Sequence, residues 1–130
     1  MNHLSRKEFE EIVQEGIKAI PEKFLKKLEN VSIVIENEPN EIQRKKLNLR
    51  KDLTLFGLYE GVPQTKRGNY SWVLPDKITI FQIPLELAAF DKIDLKELVK
   101  NTVWHEIAHH FGMDEKEVRE AQKRRQKLKS

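Results

Sequence analysis

The spacing of apolar residues predicts a helix near the start of the chain, then a break and a strand. Ser5 and Glu8 have the spacing of a capping box at a helix N-terminus. The apolar residues that follow recur at helical spacing, and they are Phe9, Ile12, Val13, Ile17 and Ile20. Pro21 interrupts this pattern, and a second, short helix is predicted around Phe24. Residues 31–35 are rich in β-branched side chains, which indicates a strand.

The middle of the chain alternates between polar segments and apolar runs. Residues 36–52 are polar and predict a loop with a helical turn, whereas the apolar run 53–59 suits a buried strand. Residues 61–75 contain two Pro and two Gly, which predicts a long loop of the kind that often lines a site. Residues 77–83 form another predicted strand that ends at Pro84. A proline at that end favours an edge position in the sheet.

The last third of the chain predicts two helices separated by a glycine. Asp94 and Glu97 have capping-box spacing, and the helical pattern that follows them runs into a cluster of histidines. Gly112 is expected to end this helix, because glycine commonly supplies the left-handed residue at that point. A third capping box opens a basic C-terminal helix at Asp114. This mixed order of helices and strands predicts an α+β fold, and the chain length predicts a single domain over residues 1–130.

Composition narrows the class of protein. The net charge of +3 is too small to imply nucleic-acid binding by itself. The chain has no Cys, which excludes disulfides and thiolate metal ligands and fits a reducing cytosol. No run reaches the roughly 18 apolar residues that a membrane span needs, and the N-terminus has no apolar run of the signal-peptide type. We therefore expect a cytoplasmic protein without a membrane partner.

The candidate chemistry is concentrated in the sequence VWHEIAHH, residues 103–110. On a helix, His105 and His109 lie about 40° apart on one face and roughly 6 Å apart along the axis. Two imidazoles in this arrangement can share one tetrahedral metal ion. Glu106 is turned about 100° from His105, so it can border the metal without binding it. This is the HExxH arrangement, in which the glutamate serves as general base to a metal-activated water.

The sequence must also supply a third metal ligand, because zinc at a catalytic site usually has three protein ligands. Gly112 allows the chain to turn back toward the metal. His110 is a poor candidate, since it points about 100° away from His109. Asp114 is placed to cap the next helix, which would occupy its carboxylate. We therefore favour Glu115 as the third ligand, with Asp114 as the second choice.

Several blocks spread over nearly the whole chain carry a family resemblance. They are FGLYEGVP at 56–63, LPDKIT at 74–79 and HEIAHHFG at 105–112, with shorter blocks at 20–22, 28–31 and 36–39. These blocks resemble the small bacterial zincin-like metallopeptidase family, also called the minimal matrix-metalloprotease-like domain. The resemblance implies a compact zincin-like fold, in which a small twisted mixed sheet lies over the HExxH helix. It also implies Zn²⁺ held by His105, His109 and Glu115, where the family usually has Asp at the last position.

The reaction that this resemblance implies is hydrolysis of peptide bonds. Glu106 would take a proton from water and pass it to the leaving amine. An edge strand, here residues 77–83, would border the cleft, and an extended peptide or protein substrate could pair with it.

Two alternative functions remain open at this point. A metal-dependent RNA endonuclease would use three ligands at a similar spacing and contact phosphates through the basic tail, but it does not require Glu106. A non-catalytic binding module would keep the fold and the metal, with Glu115 filling the open coordination position.

Overall fold

Helices and strands follow each other in mixed order along the chain. The computed structural model describes residues 3–26, 28, 31–47, 55–61 and 76–110. Its elements are α1 (Arg6–Lys18), α2 (Glu22–Leu25), β1 (Val31–Glu36), α3 (Glu41–Lys46), β2 (Gly57–Glu60), β3 (Asp76–Phe81), α4 (Gln82–Ala88) and α5 (Lys92–His110). The predicted α+β fold is confirmed. Within the described ranges, no helix is both long and apolar enough to cross a membrane.

Helix α1 begins where its capping residues predict. The Ser5 hydroxyl oxygen accepts a hydrogen bond of 3.1 Å from the backbone N–H of Glu8. The helix buries one apolar stripe, which includes Phe9, Ile12 and Val13. Pro21 is the N-cap of α2, so the predicted break between the two helices is confirmed.

Strand β3 lies in the middle of a three-stranded mixed sheet with the order β1-β3-β2 among the described strands. Strand β1 pairs with it in parallel, with Val31 opposite Asp76. Strand β2 pairs with it antiparallel, with Gly57 opposite Ile80. The predicted small mixed sheet is therefore confirmed. The prediction that residues 77–83 form an edge strand is wrong, because β3 has a partner on both sides.

The position of Pro84 explains this error. Strand β3 ends at Phe81, and α4 begins at the next residue, Gln82, in a segment where the sequence pattern predicted no helix. Pro84 is the third residue of α4. Backbone N–H groups in the first turn of a helix have no intrahelical acceptor, so a proline costs little there. A central strand can thus be followed closely by proline.

Helix α5 starts earlier than its predicted capping box. The Asp91 carboxylate accepts a hydrogen bond of 2.8 Å from the Asp94 N–H, and the Asp94 carboxylate accepts one of 2.9 Å from the Phe90 N–H. The prediction that paired Asp94 with Glu97 is therefore wrong. Several acidic residues share the same spacing here, and the pattern alone does not distinguish between them.

The segments between these elements agree in part with the sequence pattern. The helical turn predicted within residues 36–52 is α3, which begins with a capping box between Asn40 and Gln43. Strand β2 begins at Gly57, later than the predicted start at residue 53. Residues 62–75 of the predicted long loop lie outside the described part of the chain. The predicted helix end at Gly112 and the C-terminal helix lie outside them as well.

The core is formed by the sheet together with α1 and α5. Its buried side chains include Phe9, Ile12, Val13, Ile78, Ile80, Leu95, Val99, Val103 and Ile107. Burying each such side chain contributes about 1.5–3 kcal/mol relative to leaving it exposed. Trp104 is buried as well, with its ring edge-on to Phe24 at a centroid distance of 5.2 Å. This packing holds α5, which carries the histidine cluster, firmly against the sheet.

Gly61, directly after β2, has a backbone conformation that favours glycine. Its φ angle is +152°. A Cβ atom at this position would lie 2.4 Å from Oδ1 of Asp76, a fully buried residue. Both the backbone conformation and the close contact exclude a side chain here.

We expect Gly61→Ala to destabilise the fold by about 1–3 kcal/mol from backbone strain, with the clash adding to this. The matched control is Gly16→Ala in α1, where the nearest atom to the new Cβ is 3.4 Å away. Alanine has a higher helix propensity than glycine. The control should therefore be as stable as the parent or more stable, by up to about 1 kcal/mol. Denaturant unfolding measures both changes. Equal midpoints for Gly61→Ala and the parent would contradict the prediction.

Candidate functional site

One stripe of α5 lines a cleft beside the start of β2. The cleft has a volume of about 370 Å³. Its α5 wall consists of Leu98, Asn101, Thr102, His105 and Glu106, and its opposite wall consists of Leu55, Phe56 and Gly57. The α5 residues are spaced three and four apart, as on one face of a helix. The strand that borders the cleft is therefore β2, and not residues 77–83 as predicted.

Two of the three predicted metal ligands lie side by side near the end of α5. The ring centroids of His105 and His109 are 4.8 Å apart, with an angle of 68° between the ring planes. Both residues are half-buried, whereas Ile107 and Ala108 between them are fully buried. Imidazole nitrogens are among the preferred ligands of zinc, and two of them from adjacent turns can bind one ion.

The predicted base, Glu106, lies in the wall of the same cleft. Its exposed fraction is 8%, so most of the side chain is enclosed by protein. Its Cγ atom would be 3.1 Å from a Cβ at Gly57. The backbone of β2 thus lies directly against the stem of this carboxylate.

The close approach of β2 to α5 also depends on Thr102. The Thr102 hydroxyl donates a hydrogen bond of 2.7 Å to the carbonyl of Leu98, one turn earlier in α5. Its methyl carbon Cγ2 would be 2.8 Å from a Cβ at Gly57, a distance that real Cβ atoms do not reach. Only glycine fits at position 57 while the strand stays in this place.

His110 is turned away from the pair of candidate ligands. Its ring is fully buried, and Nδ1 lies 2.5 Å from Oδ2 of Asp76. This orientation agrees with the sequence argument against His110 as the third ligand. Glu115 and Asp114 both lie outside the described residues. Within the described part of the chain, no group of three or more His, Asp or Glu side chains could hold a metal ion. The third ligand therefore stays a prediction.

Comparison with known proteins identifies the family. A model of the zincin-like metallopeptidases matches residues 28–125, which include the whole sheet and α5. The chain belongs to the zincin-like metallopeptidase family. The resemblance noted from the sequence blocks is thereby confirmed.

The fold of this zincin-like chain also occurs in a solved structure. It is similar to a conserved hypothetical protein from Thermo thermophilus, with 20% sequence identity and a TM-score of 0.55. The alignment covers 83% of this chain and 94% of that chain. A likeness at this identity shows the fold alone. No curated protein matches the chain.

The residues that shape the cleft of this zincin-like protein were not predicted from the sequence. Gly57 and Thr102 received no role, although both lie close to Glu106. A signal for Thr102 was present, because it is on the helical stripe that continues to His105. Gly57 gave a weaker signal, since a glycine in an apolar run indicates a close backbone contact without naming the partner.

We expect Gly57→Ala to destabilise the protein by about 1–3 kcal/mol, because the new methyl group overpacks the contact between β2 and α5. Thr102→Ser removes Cγ2 and keeps the hydroxyl that bonds to Leu98. Adding Thr102→Ser to Gly57→Ala should therefore recover part of the loss. Thermal unfolding of the single and double variants gives the coupling. Strictly additive effects would show that the two residues do not meet.

Proposed function

We propose that this protein is a zinc-dependent peptidase that hydrolyses peptide bonds. The observation that carries the proposal is the placement of three side chains together on α5. His105 and His109 lie side by side, and His105 and Glu106 both line the cleft beside β2. Membership of the zincin-like metallopeptidase family supports the same class of reaction.

The donor chemistry of the two neighbouring histidines fits zinc. His105 and His109 would hold the ion through imidazole nitrogens, and Glu115 or Asp114 would supply the third ligand. When bound, zinc would supply a positive charge that acidifies water and polarises the scissile carbonyl.

Glu106 would handle the protons of the reaction. Its carboxylate accepts a proton from the attacking water and passes this proton to the leaving amine. The two transfers need the carboxylate at nearly the same place. The contact of the Glu106 stem with Gly57 supports such a fixed position, because the strand backbone leaves the side chain little room to move.

The proposed substrate is an extended peptide bound along β2. One edge of β2 pairs with β3, and among the described strands none pairs with its other edge. A peptide could form main-chain hydrogen bonds with that edge, as in other complexes formed by strand addition. Leu55, Phe56 and Leu98 give the cleft an apolar wall that suits an apolar substrate side chain.

Glu106→Gln tests the role of the base. The variant keeps the size of the side chain but has no carboxylate to accept a proton. We expect it to bind zinc with the stoichiometry of the parent and to lose a factor of about 10²–10⁴ in kcat. Metal analysis and a fluorogenic peptide library provide the two readouts. Cleavage at the parent rate would rule out Glu106 as the base.

His105→Ala and His109→Ala test the ligands. Each variant should lose stoichiometric zinc, because two remaining donors hold the ion poorly. His3→Ala is the control, since His3 precedes α1 and its Nδ1 atom lies 2.6 Å from a carboxylate oxygen of Glu86 on α4. Full zinc occupancy in His109→Ala would contradict the proposed site.

The zinc-loaded parent should cleave peptides and leave structured RNA intact, and the reverse result would favour the nuclease alternative.

A further inference from the structure

A buried polar cluster connects His110, the last described residue of α5, to the sheet. Asp76, at the start of β3, and His110 are both fully buried. Nδ1 of His110 lies 2.5 Å from Oδ2 of Asp76. The Tyr59 hydroxyl on β2 donates a hydrogen bond of 2.9 Å to the same oxygen. Three elements therefore meet at one carboxylate.

Stability alone does not account for such a cluster. A buried carboxylate is costly unless it is paired and hydrogen-bonded. Replacing a buried charged pair with well-packed apolar residues often leaves a protein equally stable or more stable. A hydrogen-bonded pair fixes the relative position of two groups more narrowly than an apolar contact does. Hydrogen bonds depend on angle as well as distance, whereas the hydrophobic effect is non-directional.

The carboxylate of Asp76 is itself held from several sides. Tyr59 and His110 contact Oδ2, and Oδ1 lies where a side chain at position 61 would be. Gly61 leaves this space open. The anchor for the end of α5 is therefore also held from within the sheet, by Tyr59 of β2 and by its own place in β3.

The cluster acts on the part of α5 that carries the candidate ligands. His110 directly follows His109 in the chain, and the two side chains project about 100° apart around the helix. Fixing the His110 ring against the sheet therefore sets the rotation and the height of the whole last turn. A binding site of this kind needs its ligands placed to within about 0.5 Å.

We propose that Asp76 and His110, together with Tyr59, are positioning residues that orient His109 and His105 for zinc. This inference rests on the proposed function. None of the three residues binds the metal or touches the substrate. They act through the backbone of the last turn of α5.

Asp76→Asn is the first test, because it keeps the shape of the side chain and removes its charge. We expect zinc affinity, measured by competition with a chromophoric chelator, to fall roughly tenfold. Ile12→Val is the matched control. Ile12 is a core residue on α1 that lies against the first half of α5, near Lys96 and Lys100. If both variants bind zinc equally at matched thermal stability, the cluster has only a structural role and the proposal is overturned.

Two substitutions of His110 provide an independent test. His110→Asn places an amide group close to the position of Nδ1, whereas His110→Phe keeps a ring and removes the nitrogen that contacts Asp76. We expect the Asn variant to bind zinc several-fold more tightly than the Phe variant, although Phe fills the buried space better. Equal or reversed affinities would overturn the proposal. This comparison can be made even if the Asp76→Asn variant does not fold.

Metal-free crystal structures separate this inference from the proposed function. If the parent binds no zinc, the proposed function fails. The positioning role is then decided by the distance between the His105 and His109 ring centroids, which is 4.8 Å in the parent. A change of roughly 0.5 Å or more in Asp76→Asn, with no change in Ile12→Val, supports the role. An unchanged distance in both variants refutes it.

Discussion

The contact between the backbone of β2 and the side chains of α5 at Gly57 is the constraint on which the cleft depends. A strand and a helix usually keep a layer of side chains between them, and here one member of that layer is missing. The strand can therefore lie against Thr102 and Glu106 directly. One contact thus sets the width of the cleft and the position of the candidate base.

Helix α5 serves both as the central helix of the core and as the carrier of the site. Val99, Val103 and Ile107 are fully buried, while His105 and His109 are half-buried and His105 lines the cleft. A helix fixed by so many core contacts moves little when its exposed stripe binds a ligand. Because one helix has both roles, the candidate ligands lie on a rigid support and no further element is needed to hold them.

Local features of this fold could be predicted from the sequence, and features that depend on distant partners could not. The cap of α1 and the common face of His105 and His109 follow from residue spacing and helix geometry. The central position of β3 does not, because spacing within a strand carries no information about its neighbours. Asp76 resembled an ordinary polar residue before a strand, and its burial depends on His110, which is 34 positions away. The third ligand is undetermined for the same reason, since the path of the chain after α5 depends on tertiary contacts.

The parallel pairing of β1 with β3 has a consequence for how the protein folds. Val31 lies opposite Asp76, so this pairing joins residues that are 45 positions apart in the sequence (76 − 31). Long loop closure is slow compared with helix formation, which needs only neighbouring residues. Helix α5 can therefore form before the sheet, whereas the cleft between α5 and β2 is complete only once the sheet has docked.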